Sequence, residues 1–384
     1  MSLANVRLSL LVGPSVPQPA PRLLMNALES VQVNDSAGSP QGFTLTFRAE
    51  RDPAASKDYA LLNSPLLKPG NRVVISVTLN ATPRVLMDGV ITHHQLAPSG
   101  GAAGTSLTIT GEDLSVLMDM TELALPYPPL PDAAIVLLIL AKYAAFGVIP
   151  LVIPSRKSWT TNPLDQTPFQ KGTDLAYLRE LGKHHGYTFG LKPGPLPLMN
   201  IAYWGPPDAI RKMRKICPPQ APLTVDMGPA TNVESISFSY NALAPKQVYG
   251  FVADPDALLP VPVMTMFSTR IPPLASNPAL TANQPFVKKE RLDYDGHHAI
   301  EAWAQAQRRT DESTDDVVTA SGTLDVLRYG DLLSAPGIVG LRGAGYSYDG
   351  YYHIKSVSHT INRKEYKQSF SLAREGTGSL TKKV

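Results

Sequence analysis

The chain has 384 residues and a mass of 41.4 kDa, enough for two or three domains with cores of their own. Hydrophobic residues make up 43% and charged residues 17%, against ~25% charged in an average chain, which excludes global disorder. Lys and Arg number 35 against 32 Asp and Glu, and the resulting +3 is too small a surplus for polyanion binding by bulk charge, so no nucleic-acid partner is expected.

The start MSLANVRLSLLVGPSVPQP has only Arg7 before a short apolar run and no small-residue cleavage pattern, and it reads as a first strand rather than a signal peptide. From Asn5 to Asp113 short alternating segments recur: VRLSLLV, Phe43 to Phe47, Val73 to Leu79, Val85 to Ile91 and Ser106 to Thr110. Period-two alternation with β-branched residues marks half-buried strands. Pro69-Gly70-Asn71, Ala81-Thr82-Pro83 and Ser99-Gly100-Gly101 supply turn chemistry between them. Regularly spaced antiparallel strands that must hide their edges predict a β-barrel over residues 1–115.

Character changes after Glu112. Ala133 to Phe146 is apolar nearly all round, with Asp132 as N-cap and Gly147 as C-cap, and predicts a buried helix. It is shorter than the ~20 residues that span a bilayer, so no stable membrane insertion is expected. A second helix is predicted from Asp174 to His185, with Leu175, Leu178 and Leu181 on one face and Gly186 as stop, before a strand Tyr187 to Leu191. Residues 116–205 therefore form a small α/β insert.

The third section, 206–384, returns to strands at Ser235 to Tyr240 and Gln247 to Val252. The segment 254–285 is rich in proline without sustained periodicity, a loop longer than the ~12–15 residues usual for ordinary connections. A helix is predicted at 297–309, with Ile300, Trp303, Ala304 and Gln307 on one side. Strands follow at Asp316 to Ala320, Ile338 to Leu341, Tyr351 to His359 and Tyr366 to Ala373. The order β, α/β, β predicts a mainly β chain with an α+β insert, two barrels flanking the insert.

Chemistry-bearing residues are sparse. Cys217 is the only cysteine, which excludes an intramolecular disulfide and a thiolate zinc cage. The pairs His93-His94, His184-His185 and His297-His298 have neighbours that diverge on either a strand or a helix, so no metal is assigned to them. Asp113 with Asp119, and Asp311, Glu312, Asp315 and Asp316, are the carboxylates that acid/base chemistry would require, the latter group reading as a solvated loop. No GxSxG elbow, Walker loop or strand-borne GxGxxG occurs, and Gly343-Ala344-Gly345 reads as a turn. Trp159, Trp204 and Trp303 are too scattered for a sugar platform, with Trp303 expected in the core. No catalytic residue and no cofactor is assigned.

A composite pattern runs through the C-terminal section: Gly322 with Leu324, Tyr329-Gly330-Asp331, Gly337 to Leu341, Asp349 to Ile354, Val357-Ser358-His359, and Tyr366 through Phe370 to Glu375. Together with Leu86 to Ile91 followed by Leu107 to Asp113, and Thr173 to Arg179 followed by Gly186 to Phe189, it resembles the phage late-control D family, the baseplate hub proteins of contractile tails and phage-tail-like injection systems. The motifs occur in order over roughly the whole chain. The resemblance implies two tube-like β-barrels per subunit and a homotrimer forming a pseudo-sixfold ring, a symmetry adaptor between a trimeric spike and a hexameric inner tube. The implied partners are a separate spike protein, an inner tube or tube-initiator protein and other baseplate components. A separate spike is expected because the sequence stops soon after Arg374-Glu375-Gly376, with no following spike module. The implied location is the cytoplasm of the producing cell, then the assembled particle. The family supplies no catalytic residue, so a non-enzymatic role is expected. The alternatives are a tail-associated cell-wall hydrolase using Asp113 and Asp119, or a carbohydrate-binding module using Tyr351-Tyr352.

Overall fold

A computed structural model of the chain describes residues 2–3, 6–14, 16–36, 40–49, 59, 61–62, 64–98, 104–155, 168–207, 209, 218–254, 259–293 and 299–380. The chain is mainly β, with few helices. It divides into two compact units, the first Met1–Gly182, Thr188–Gly205 and Ser358–Gln368, the second Lys183–Tyr187, Pro206–Val357 and Ser369–Val384.

In the first unit the strands pair antiparallel in the order Val6–Gly13, Arg72–Leu79, Thr82–Ala97, Thr105–Asp113, Gly42–Ala49 and Leu28–Ser36. Alternation places Leu8, Leu10, Val31, Phe43, Leu45 and Phe47 inside, each contributing roughly 1.5–3 kcal/mol on burial. The expected strands are all present, and Leu28–Ser36 joins them. The turn before Thr82 differs from expectation: Asn80 and Ala81, at φ 48° and 64°, make the two-residue link, and Thr82 and Pro83 already pair in the ladder. Two left-handed residues match the twist of a tight hairpin.

Of the stretch expected as an insert, residues 116–182 and 188–205 belong to this unit. Its first helix is Asp132–Ala141, followed by a 3₁₀ turn Ala144–Phe146 and Gly147 at φ 79°. The cap residue is Pro131 rather than Asp132, which sits in the first turn. Only one face is buried, through Ile135, Val136, Ile139 and Leu140, while Leu137 and Leu138 stay 44% and 48% exposed. The second helix spans Asp174–His185 as predicted, and strands Val148–Val152, Asn200–Gly205 and Thr188–Pro193 form the adjoining sheet.

In the second unit the residues 350–357 and 369–374 lie in strands that pair onward to Val318–Asp325 and Val233–Tyr240, with Gly337–Arg342 and a parallel Gln220–Thr224 alongside. The proline-rich segment is not one unstructured loop, for it carries strand Val261–Met264, bridge Asn277–Pro278 and helix Ala279–Ala282. Residues 255–258 of that segment lie outside the described residues, as do Cys217, Trp159, Ser99 to Gly101 and His297-His298.

The third helix is Ala299–Asp315, longer than expected, and of the residues expected on one side only Gln307 is buried. Ala302, Ala306, Thr310 and Thr314 are buried, whereas Ile300 and Trp303 are 56% and 40% exposed. Small side chains let the helix approach Val248, Val252 and Val263 of the sheet closely, leaving the bulky residues no room there. The carboxylates Asp311, Glu312 and Asp315, expected in a solvated loop, therefore sit in its last turns.

Candidate functional site

The polar chemistry of this chain is concentrated in buried clamps rather than in an open cleft. In the first unit Arg72 donates Nε and an Nη to the two Asp88 oxygens, both at 2.7 Å, and its guanidinium also reaches the Phe146 carbonyl at 2.9 Å. Asn200 completes the carboxylate's shell at 2.9 Å. All three side chains are nearly fully buried, so the hairpin of Arg72–Leu79 and Thr82–Ala97 is pinned to Phe146 and Asn200 by a bidentate ion pair with its remaining valences filled. Asp174, at the start of the second helix, gathers Lys142 at 3.0 Å, Tyr143 at 2.8 Å and Gln170 at 2.9 Å. Burial and then the Asp174 hydrogen bond push the Tyr143 phenol well above its ordinary value.

In the second unit the two residues that close the family-like pattern act separately. Arg374 is fully buried, donates to the carbonyls of Ser347 and Asp349, and lies 4.4 Å from the centre of the Tyr352 ring. Burial lowers the guanidinium pKa, and the ring face and carbonyls take the place of water. Glu375 accepts from the backbone N–H groups of Leu274 and Ala275. Asp311 accepts from Ser268 at 2.9 Å, from the Thr269 backbone at 2.7 Å and hydroxyl, and from Gln307 at 3.0 Å. The segment around 268–275 is thus fastened at both ends by buried carboxylates.

The sequence-named carboxylates are not brought together as an acid/base pair. Asp113 accepts from Gln41 at 2.7 Å and Ser115 at 2.8 Å and caps the 3₁₀ turn Leu114–Asp119, while Asp119 accepts from Thr173 at 2.6 Å. Glu312 pairs with Arg308, Asp315 with Arg270 and Asp316 with Lys355. His93 stands opposite Thr110 and His94 opposite Ile109, on successive strand positions, and His185 lies beside the Tyr187 ring. Among the described residues no group of three or more His, Cys, Asp or Glu is placed to hold a metal ion. Trp204 is buried and donates to the Leu178 carbonyl, and Tyr352 is covered by Arg374, so neither offers a stacking platform. No helix among the described residues is long and apolar enough to cross a membrane.

The clamps escaped the sequence reading because their partners are distant in the chain: Arg72 and Asn200, or Glu375 and Leu274, share no local pattern. The one signal was the Arg374-Glu375 terminus of the C-terminal motif, an adjacent charged pair at the end of an apolar strand.

No family model matches the chain, and no curated protein matches it. Solved structures do. The tail protein of Neisseria meningitidis MC58 is 13% identical with a TM-score of 0.61, over 97% of this chain and 98% of that one. The 43 kDa tail protein of prophage MuSo2 from Shewanella oneidensis is 12% identical with a TM-score of 0.63, over 96% and 98%. The E. coli c3393 protein, a component of the type VI secretion system with structural similarity to the T4 bacteriophage tail proteins gp27 and gp5, is 13% identical with a TM-score of 0.53, over 90% and 73%. The chain shares its fold with the first two over nearly the whole of both chains.

Proposed function

We propose that this chain is a structural baseplate hub of the late-control D kind, a non-enzymatic component of a phage tail or contractile injection system. The observation that carries this reading is the match of fold over nearly the full length of two tail proteins. The ordered sequence motifs add to it, and the clamps suit a part that must transmit force without rearranging. In this reading residues 1–115 and 206–384 are the two tube-like halves and 116–205 the insert, and three copies form a pseudo-sixfold ring between a trimeric spike and a hexameric tube. The spike is a separate protein, and the ring belongs to the assembled particle.

Closed rings bury matching patches and leave no open end. The test is the mass of the full chain by light scattering, alone and mixed with its spike and tube proteins. A trimer, alone or on adding spike, is expected. A monomer that joins neither partner overturns the reading.

A further inference from the structure

The chain protects one long strand edge and leaves another open. In the first unit the free side of Val6–Gly13 is covered near both ends by the short strands Ser2–Leu3 and Gln18–Pro19, and Pro19 offers no donor to a newcomer. In the second unit Val233–Tyr240 pairs with Val318–Asp325 along one side and with no described strand along the other.

The register gives the direction of the backbone groups on that strand. Asn241 donates to the Val317 carbonyl at 2.8 Å, so the positions in step with it, Ser239, Ser237 and Ser235, are those that bond Thr319, Ser321 and Thr323. Ile236, Phe238 and Tyr240 therefore turn N–H and C=O away from the sheet, where no described residue bonds them. The devices that blunt such an edge, a lysine, a proline or a bulge, are absent from Ser235 to Tyr240, and the one irregularity of the ladder falls before Ser235.

The edge is also held in place. The Ser235 and Thr323 hydroxyls lie 2.8 Å apart and those of Ser237 and Ser321 3.1 Å apart. On the opposite face Phe238 stacks on Tyr348 at 4.8 Å, and the Tyr240 hydroxyl accepts from Asn283. A strand already ordered loses little entropy when another is laid beside it.

The sequence of the edge says what can lie there. When the strand is laid antiparallel on its own copy about Phe238, Ile236 faces Tyr240 and Phe238 faces Phe238, so every outward N–H meets an outward C=O. The same register sets apolar side chains against apolar ones on one face and Ser237 against Ser239 on the other, with no charge opposite a like charge. A shift of two residues in either direction puts Tyr240 opposite Glu234 or Ile236 opposite Ala242, outside the alternating run.

We infer that two copies of this chain associate through a two-fold antiparallel pairing of residues 235–240, edge to edge. Such a contact is isologous and closes on itself, and main-chain bonds supply the affinity while the alternating side chains set the register. It uses one edge of the second unit and does not depend on the hub reading.

The test follows sedimentation of the full-length chain against concentration. Ile236→Pro removes an outward N–H from each copy and no bond within the chain, a place where an edge strand tolerates proline. Ile236→Ala loses the same side chain and keeps the N–H. Self-association is expected to be weaker roughly tenfold or more in the proline variant than in the alanine one. On a Cys217→Ser background, Ser237→Cys mixed with Ser239→Cys is expected to give a disulfide-linked dimer on mild oxidation, since facing positions of this kind stand ~4.5 Å apart at Cα, while either variant alone gives none. The cross-link reports on the contact even where the proline variant fails to fold. A wild type that stays monomeric at every concentration, or whose association is unmoved by Ile236→Pro with no mixed cross-link, overturns the pairing, and so does an edge covered only when spike or tube protein is added. A trimer formed with spike in the absence of the cross-link leaves the hub reading standing, and a chain that pairs by this edge but joins neither spike nor tube overturns the hub reading alone.

Discussion

His359 Nδ1 lies 2.8 Å from the Tyr366 hydroxyl, across the tip of the hairpin formed by Gly350–Asn362 and Tyr366–Arg374. Gln368 Nε2 approaches the same nitrogen at 3.4 Å. Two donors facing Nδ1 make it the unprotonated nitrogen, so a second proton on the ring would meet them head on. Burial lowers the imidazole from 6.5 to about 4, with Asp35 opposing weakly, and burial also raises the Tyr366 phenol far above its usual range.

Between those two values the unfolded chain binds a proton that the folded chain does not. Stability is therefore expected to fall as pH drops from 6.5 toward 4, by about 3 kcal/mol in all from this group, and to level off below. His359→Gln should flatten that part of the curve. Urea unfolding of both proteins at half-unit pH steps checks it, and parallel curves would remove His359 as the cause.

Asp88 has no water to fall back on if Arg72 is lost. Arg72→Met alone is expected to cost about 3–5 kcal/mol, because it strands a buried carboxylate. Arg72→Met with Asp88→Leu should recover only part of that loss, since the apolar pair removes both ionic desolvation penalties but takes a partner from the Asn200 amide and the Phe146 carbonyl. A double-mutant cycle in denaturant measures the difference.

Arg374→Lys keeps the charge and loses the clamp. A lysine is a point donor and cannot span the Ser347 and Asp349 carbonyls while stacking on Tyr352. A loss of about 2 kcal/mol is expected, with faster amide exchange in residues 343–350 as the local readout. Unchanged exchange there would mean that the turn is held by other contacts.

Backbone geometry gives predictions of both signs. At Gly343, φ 91°, an added Cβ would fall 1.8 Å from the Val225 carbonyl oxygen, whereas at Gly345, φ 86°, it would meet nothing within 4 Å. Gly345→Ala should cost only the left-handed strain of about 1–2 kcal/mol, and Gly343→Ala clearly more. Ala81 is exposed at φ 64°, so Ala81→Gly is expected to raise stability by about 1 kcal/mol. Thermal melts of the three variants rank these effects, and an Ala81→Gly protein that melts lower would show that the freedom glycine gains in the unfolded chain outweighs the relieved strain.

What the sequence determined alone is what nearest neighbours determine. Alternation at Phe43 to Phe47 and at Val73 to Leu79, the leucine spacing from Leu175 to Leu181 and the stop at Gly186 fix strands and a helix, because period and side-chain chemistry act within a few residues. The order of the C-terminal motifs carried the fold class as well, since each marks a turn or strand end whose place is set locally. Tertiary structure decided the rest. The helix Ala299–Asp315 chose its alanine face over its tryptophan face because the sheet beneath admits only small side chains. The helix Asp132–Ala141 was left half bare, although its composition called for burial. Asp113, Asp311 and Glu375 became clamps rather than catalysts because the donors that saturate them come from distant segments, and a carboxylate already filled by N–H and O–H groups is neither a free base nor a ligand.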